Sequence, residues 1–265
     1  MIIAEIGWNF LGDLDLAKKM IISAKNAGCK HVKFQLWNPE NLVPGVWDND
    51  GRREIYKKAY LDYEKYFELY NYSKSIGLEC FASIFDEKTY EILKSVNRKY
   101  IKIPSVEAYD LNLIKKSLND FENVIVSTGA LKKKELDNLK QFKDEKNFHI
   151  LHCVSTYPLD YKNCNFEKFF YIKKNFKNFG YSGHARGIYD AIYAISNGAT
   201  IIEKHFTTNN DLEGRDNKFA ILPNQLKDLC DYNFAVSEMS NNLGLELQNA
   251  EKDVFLNYRG RFRKK

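Results

Sequence analysis

His184 and His205 each close an apolar stretch, and Lys33 and Lys102 each sit within one. Two imidazoles can converge on a single divalent cation. With water or substrate oxygens completing the shell, such a pair suits Mn, Fe, Co or Zn better than Mg. Asp216 adds an interior carboxylate candidate beside them. A lysine buried in a core needs an anionic partner, because an unpaired ammonium there is prohibitively costly. Lys33 and Lys102, with the hydroxyls of Ser127, Thr128 and Ser182, could cradle a phosphate and a carboxylate, the two anionic groups of an enol phosphate. The same lysines could instead pair with Glu5, Glu107 or Glu203 in a structural network, and spacing alone does not separate the two readings. Either histidine taken singly reads as a hydrogen-bonded core residue; their joint placement near Asp216 favours an ion.

Positioning these groups requires strands that end where they stand. Apolar β-rich segments recur at 2–6, 31–35, 78–83, 100–103, 123–127, 149–153, 179–182 and 200–205, with helical patterns between them, the rhythm of parallel βα units. Leu16, Met20, Ile21 and Ala24 form one helical stripe before Gly28, and Ile188, Ala191, Ile192 and Ile195 another before Gly198. Further helices are expected at 63–75, 87–95, 111–118, 133–142, 166–174 and 223–239. Eight such units predict an α/β fold, a single-domain (β/α)8 or TIM barrel. No Gly-x-Gly-x-x-Gly follows the first strand, which disfavours an open doubly wound sheet. Active sites of this fold gather at the C-terminal strand ends, and nearly every strand here carries a polar residue there. These are Glu5, Lys33 with Gln35, Ser83, Lys102 with Ser105 and Glu107, Ser127 with Thr128, His152 with Tyr157, Ser182 with His184, and His205. The connection over 36–61, holding Trp37, Pro39, Pro44, Trp47 and Asp48, is too irregular for a core element and reads equally as a lid or a surface insertion.

Composition excludes several classes. Hydrophobic residues make up 44% of 265, enough for a sizeable core, while the absence of an apolar run near 18 residues argues against a membrane span. The N-terminus reaches Glu5 without the plan of a secretory signal and reads as the first strand. Five widely spaced cysteines without Cys-x-x-Cys disfavour a disulfide framework and a zinc finger, and fit a reducing cytoplasm. The net charge of +5 is spread along the chain; the dense basic stretch from Arg259 to Lys265 reads as a solvated tail, with no nucleic-acid or membrane role assigned.

Seven segments occur in the order found in the sialic acid synthase family, which includes legionaminic and pseudaminic acid synthases: Ala4-Glu-Ile-Gly-Trp-Asn9, Val32-Lys-Phe-Gln35, Lys102-Ile-Pro-Ser-Val-Glu107, Ser127-Thr-Gly129, Leu151-His-Cys-Val-Ser-Thr-Tyr-Pro158, Gly180-Tyr-Ser-Gly-His184 and Ile202-Glu-Lys-His-Phe-Thr207. The chain resembles that family over residues 4 to about 220. The resemblance implies an enzyme that joins the methylene carbon of phosphoenolpyruvate to the aldehyde of an amino sugar resembling N-acetylmannosamine, releasing phosphate and a nonulosonic 3-deoxy-keto acid for cell-surface polysaccharide. It implies a divalent metal on His184 and His205, manganese first, with magnesium or cobalt as alternatives. By the same resemblance Lys33, Lys102, Ser105, Ser127 and Ser182 hold phosphoenolpyruvate, and Glu5, Gln35, Glu107, Tyr157 and Asp216 face the sugar. Glu5, Glu107 and Asp216 are the expected catalytic groups, Thr128 a further substrate contact. The expected partners are these two small molecules and, as in most members, a second copy in a homodimer.

Several positions depart from the family pattern. Gly183 stands where an acidic residue is common beside the metal histidine, Phe10 where histidine is common, Ser155 for an asparagine and Arg215 for a proline. Loss of the acid at 183 is expected to weaken the metal shell, and Arg186 and Arg215 to mark a different acceptor. Residues 1–245 are expected to form the barrel and 246–265 a basic tail or truncated linker, since members continue into a small antifreeze-like domain that contacts the sugar's N-acyl group. The alternative expectation is a degenerate homologue that binds a sugar or a partner protein without turnover; a metal-dependent isomerase or retro-aldol barrel is disfavoured by the paired lysines.

Overall fold

The computed structural model describes residues 1–46 and 49–263. Trp47 and Asp48, placed by the sequence in the long connection, and Lys264 and Lys265 of the basic tail lie outside the described residues. Eight parallel strands close into a barrel in sequence order, the last pairing with the first. They are β1 (Ile2–Gly7), β2 (His31–Leu36), β3 (Glu79–Ile84), β4 (Ile101–Ile103), β5 (Val124–Ser127), β6 (Phe148–Cys153), β7 (Phe179–Gly183) and β8 (Ile201–His205). All eight expected strands form, with ends moved by a residue or so, where pairing rather than composition sets the boundary.

Around them run α1 (Leu14–Asn26), α2 (Arg52–Lys58), α3 (Tyr63–Ser75), α4 (Glu87–Val96), α5 (Leu111–Asp120), α6 (Lys133–Asn138), α7 (Phe166–Asn175), α8 (Tyr189–Ser196) and α9 (Pro223–Met239). Aspartates start several of them: Asp13, Asp62, Asp86 and Asp110 each accept hydrogen bonds from otherwise unpaired amides of the first turn. The helix expected over 133–142 ends at Asn138 and tightens into a 3-10 turn at Leu139–Phe142, which still buries Leu139 and Phe142. Within the long connection the chain forms a 3-10 turn at Pro39–Asn41 and then α2, the helix that the sequence reading lacked. Trp37 and Tyr56 from this segment pack on Trp8 at ring separations of 5.5 and 4.8 Å, so the connection is seated on the end of β1. Among the described residues no helix is long and apolar enough to cross a membrane. Beyond α9, residues 240–263 are almost wholly exposed.

Strand alternation sorts the barrel interior into levels. Ile3, Phe81, Ile125, Leu151 and Ile201 fill the lower level as an apolar plug, with Met1 and Tyr100 against it. One pleat higher the inward positions become Glu5, Lys33, Ser83, Lys102, Ser127, Ser182 and Glu203, all buried. Closure of the wall at β7 needs Gly180. A Cβ there would lie 2.2 Å from the backbone oxygen of Ile201 and 2.7 Å from Leu151 Cδ2. A Gly180→Ala variant is therefore expected to lose about 3 kcal/mol of stability, because the obstruction is backbone of a paired strand. The urea midpoint measures it, and a midpoint equal to the parent's would show that β7 and β8 can part without cost.

Candidate active site

Register decides which polar groups meet. Glu5 is paired with Lys33 on β2 and with His205 on β8, and Ser182 with Glu203. The Lys33 ammonium lies 2.8 Å from Glu5 Oε2 and donates to Ser83 Oγ at 2.6 Å, with Glu203 at 3.8 Å. Lys102 Nζ is 3.9 Å from Glu203 Oε2, and Ser182 donates to the other Glu203 oxygen at 3.2 Å. Gln35 donates to Glu5 Oε1 at 2.6 Å. Both readings of the lysines are thus present together. Lys33 has Glu5 at contact distance, whereas Lys102 has a distant share of Glu203, and among the described residues Ser127 Oγ is buried with no hydrogen-bond partner.

These contacts set the charge states. Burial pushes the Glu5 carboxyl up to about 7 against the pull of Lys33, and burial also lowers Lys102. Burial works against ionised Glu203 too, but Lys102 and Lys33 outweigh it and hold this carboxyl below its usual value. Glu5 gives a measurable sign. The folded chain keeps its proton to about pH 7, while an unfolded chain releases it near the ordinary glutamate value of 4.5. Folding therefore binds a proton, and stability falls as pH rises from about 4.5 to 7, by up to ~3 kcal/mol. Urea midpoints at pH 5 and pH 7.5 should show this fall in the ligand-free parent and a smaller one in a Glu5→Gln variant; equal falls would mean that Glu5 is ionised throughout.

Above the lysines, β7 and β8 deliver the two histidines with ring centroids 5.5 Å apart. His184 Nδ1 donates to Val154 O at 2.8 Å, which leaves Nε2 as the free lone pair. His205 Nδ1 is buried with no hydrogen-bond partner, 3.5 Å from Asp216 Oδ2, and burial and His184 hold its imidazole well below the ordinary value, in the neutral form that ligates metals. Burial opposes charge on His184, but Cys153 Sγ at 3.9 Å from Nδ1 outweighs it and raises the imidazole, so a cation there would compete with a proton. Among the described residues no group of three His, Cys, Asp or Glu forms a metal cage by itself. The residues fit a cation with two protein nitrogens and open positions, since an orphaned buried nitrogen and an oriented imidazole lie on neighbouring rings beside a carboxylate.

The remaining expected residues divide. Tyr157 stacks 4.1 Å from His184, and Arg215 lies 5.4 Å over the Tyr157 ring while donating to its carbonyl at 3.0 Å. Asp216 is buried, accepts from Trp8 Nε1, and is raised by burial to about 6. Ser105 accepts from Gly129 N at 3.0 Å; a Cβ on Gly129 would meet Ser155 Oγ at 2.1 Å and Ser105 Oγ at 2.6 Å, so these hydroxyls line a cradle that any side chain at 129 would fill. One expected contact is not brought in. Thr128 is fully buried with its hydroxyl donating to Leu151 O, because alternation turns it away from Ser127. Glu107 is half-buried in the turn after β4 and makes no ion pair with either lysine among the described residues. His152, on the outward face of β6, bonds Cys164 O and packs among Phe166, Phe169 and Tyr181 as a core residue. Trp8 was missed; its signal was an aromatic directly past the β1 end, next to Gly7.

Comparison with known proteins agrees with this arrangement. The NeuB family pattern matches residues 20–244. The chain is 35% identical over 243 residues to N-acetylneuraminate-9-phosphate synthase of Drosophila melanogaster, covering 86% of this chain and 65% of that protein. It is 33% identical over 258 residues to pseudaminic acid synthase of Campylobacter jejuni, covering 92% of this chain and 74% of that one. The chain thus spans about two thirds to three quarters of the length of these relatives. The crystal structure of N-acetylneuraminic acid (sialic acid) synthetase from Leptospira borgpetersenii superposes with a TM-score of 0.86 at 31% identity, over 100% of this chain and 92% of that one. With the family pattern matching most of its length and a closed barrel of eight parallel strands, this chain belongs to the NeuB family.

Proposed function

We propose that the protein condenses phosphoenolpyruvate with an amino-sugar aldehyde, or a related aldose, to a nonulosonic 3-deoxy-keto acid and inorganic phosphate. One observation carries the reading: two buried ammonium groups, Lys33 and Lys102, lie in the barrel one level below the neighbouring imidazoles of His184 and His205. An enol phosphate brings the anions that Lys102 lacks. Lys33, Lys102 and the hydroxyls of Ser105, Ser127 and Ser182 hold its phosphate and carboxylate. Gln35, Tyr157 and Asp216 face the sugar.

In the reaction the methylene carbon bonds to the aldehyde carbon, the aldehyde oxygen takes a proton, water adds to the former enol carbon and phosphate leaves. Glu5, protonated up to about pH 7, holds a proton in reach of the reacting level. The lysines keep phosphate in place until departure, so positioning and electrostatics supply much of the acceleration. A divalent cation on His184 and His205, with manganese as the first choice, supplies Lewis-acid polarisation of the aldehyde when bound. The five free thiols favour the cytoplasm, and the reaction involves neither nucleic acid nor membrane. A homodimer is the assembly we assign by family resemblance.

The test is phosphate release from phosphoenolpyruvate with Mn2+ and a panel of aldoses. Release that depends on both metal and one acceptor is expected. No release with any acceptor, despite bound metal, would leave a binding protein; product formed without phosphoenolpyruvate would point to isomerase or aldol chemistry.

A further inference from the structure

Outside the barrel wall, behind the two histidines, lies an ion pair that the reaction does not use. Lys204 precedes His205 and points to the opposite face of β8, where its ammonium meets both Asp190 oxygens at 3.0 and 3.1 Å. Both side chains are buried, at 2% and 0% exposure. Asp190 comes from the first turn of α8 and also accepts from Tyr181 OH at 3.2 Å. The third bond of the ammonium goes to Ala185 O at 2.7 Å, the carbonyl immediately after His184. Ala185 and His184 O bridge in turn to Leu159, two residues from Tyr157.

Gly183 leaves room for this pair. Gly183 is the strand partner of Lys204, and a Cβ on it would lie 2.4 Å from Asp190 Oδ2, 2.6 Å from Tyr181 Cε1 and 3.1 Å from Lys204 Cδ. A side chain at 183 would therefore press on both the carboxylate and the tyrosine that donates to it. Asp190 fixes Lys204, and Lys204 fixes the carbonyl that follows His184. We propose that Asp190 and Lys204 are positioning residues for the His184–His205 pair. This inference rests on the metal reading of the two histidines.

The test is Mn2+ affinity of the apo protein, read by electron paramagnetic resonance, together with thermal melting. A Lys204→Met/Asp190→Leu double variant removes both charges, a change that buried pairs often tolerate in stability. It leaves Ala185 O and Tyr181 OH unpaired, so it should melt below the parent while still folding, and bind Mn2+ roughly 10- to 100-fold more weakly, the usual effect of losing support behind a ligand. A Lys204→Arg variant, which keeps a cation to meet Asp190 and the Ala185 carbonyl, should bind Mn2+ within about threefold of the parent. The clamp is overturned by a folded double variant with parental affinity, or by a folded Lys204→Arg variant that binds more than tenfold more weakly. If a His184→Ala variant binds Mn2+ as the parent does, it is the metal reading itself that falls.

Discussion

A Lys102→Met variant will keep its fold and lose condensation by roughly 10²–10³ in kcat, with weaker binding of phosphoenolpyruvate. The reason is the unequal compensation of the two lysines. Lys33 is held at 2.8 Å by Glu5 and at 2.6 Å by Ser83, whereas Lys102 stands 3.9 Å from Glu203 and otherwise reaches only the carbonyl of Ile103 at 3.4 Å. Lys102 is thus the cation with most to gain from an incoming anion. Removing one charge-assisted donor from a water-excluded site costs about 3–4 kcal/mol at the transition state, which is the predicted rate loss. A Lys33→Met variant behaves differently: it strands Glu5, which answers by staying protonated, so stability suffers less than for a permanently charged partner. Phosphate-release kinetics against phosphoenolpyruvate concentration separate the two. Unchanged kcat in Lys102→Met would mean that the anion sits elsewhere.

His205→Ala should abolish metal-dependent turnover, by roughly 10³ or more, and remove most Mn2+ binding, since one of only two protein nitrogens is lost. His184→Ala should do the same. The informative control is His152→Phe. That ring is equally buried and also ends a strand, but it faces outward, bonds Cys164 O and sits among aromatics. It should lose about 1–2 kcal/mol of stability from the stranded carbonyl and keep its Mn2+ affinity. Mn2+ titration of the three variants decides the matter; a His152 variant that loses metal as the others do would show that the effect comes from general loosening of the barrel.

Much was legible without coordinates. The alternation of apolar strand segments with helical stripes dictates a barrel because each strand is apolar on both faces and each helix on one, and only closure buries all of them. The positions of Glu5, Lys33, Lys102, Ser182, His184 and His205 at strand ends follow from the same pattern, since polar residues interrupt it at one level. Packing decided the rest. Whether a lysine was compensated depended on register, which puts Glu5 beside Lys33 but leaves Lys102 at arm's length from Glu203. Thr128 and His152 resembled site residues because composition cannot tell the two faces of a strand apart at its frayed end; a one-residue step sends a side chain to the helix layer. Gly183 read as a loss, and its neighbours in space are the Asp190 carboxylate and the Tyr181 ring. Neither residue's type reveals that, because the contact joins a strand edge to a helix through space, seven positions apart in the chain and set only by how α8 docks on β7 and β8.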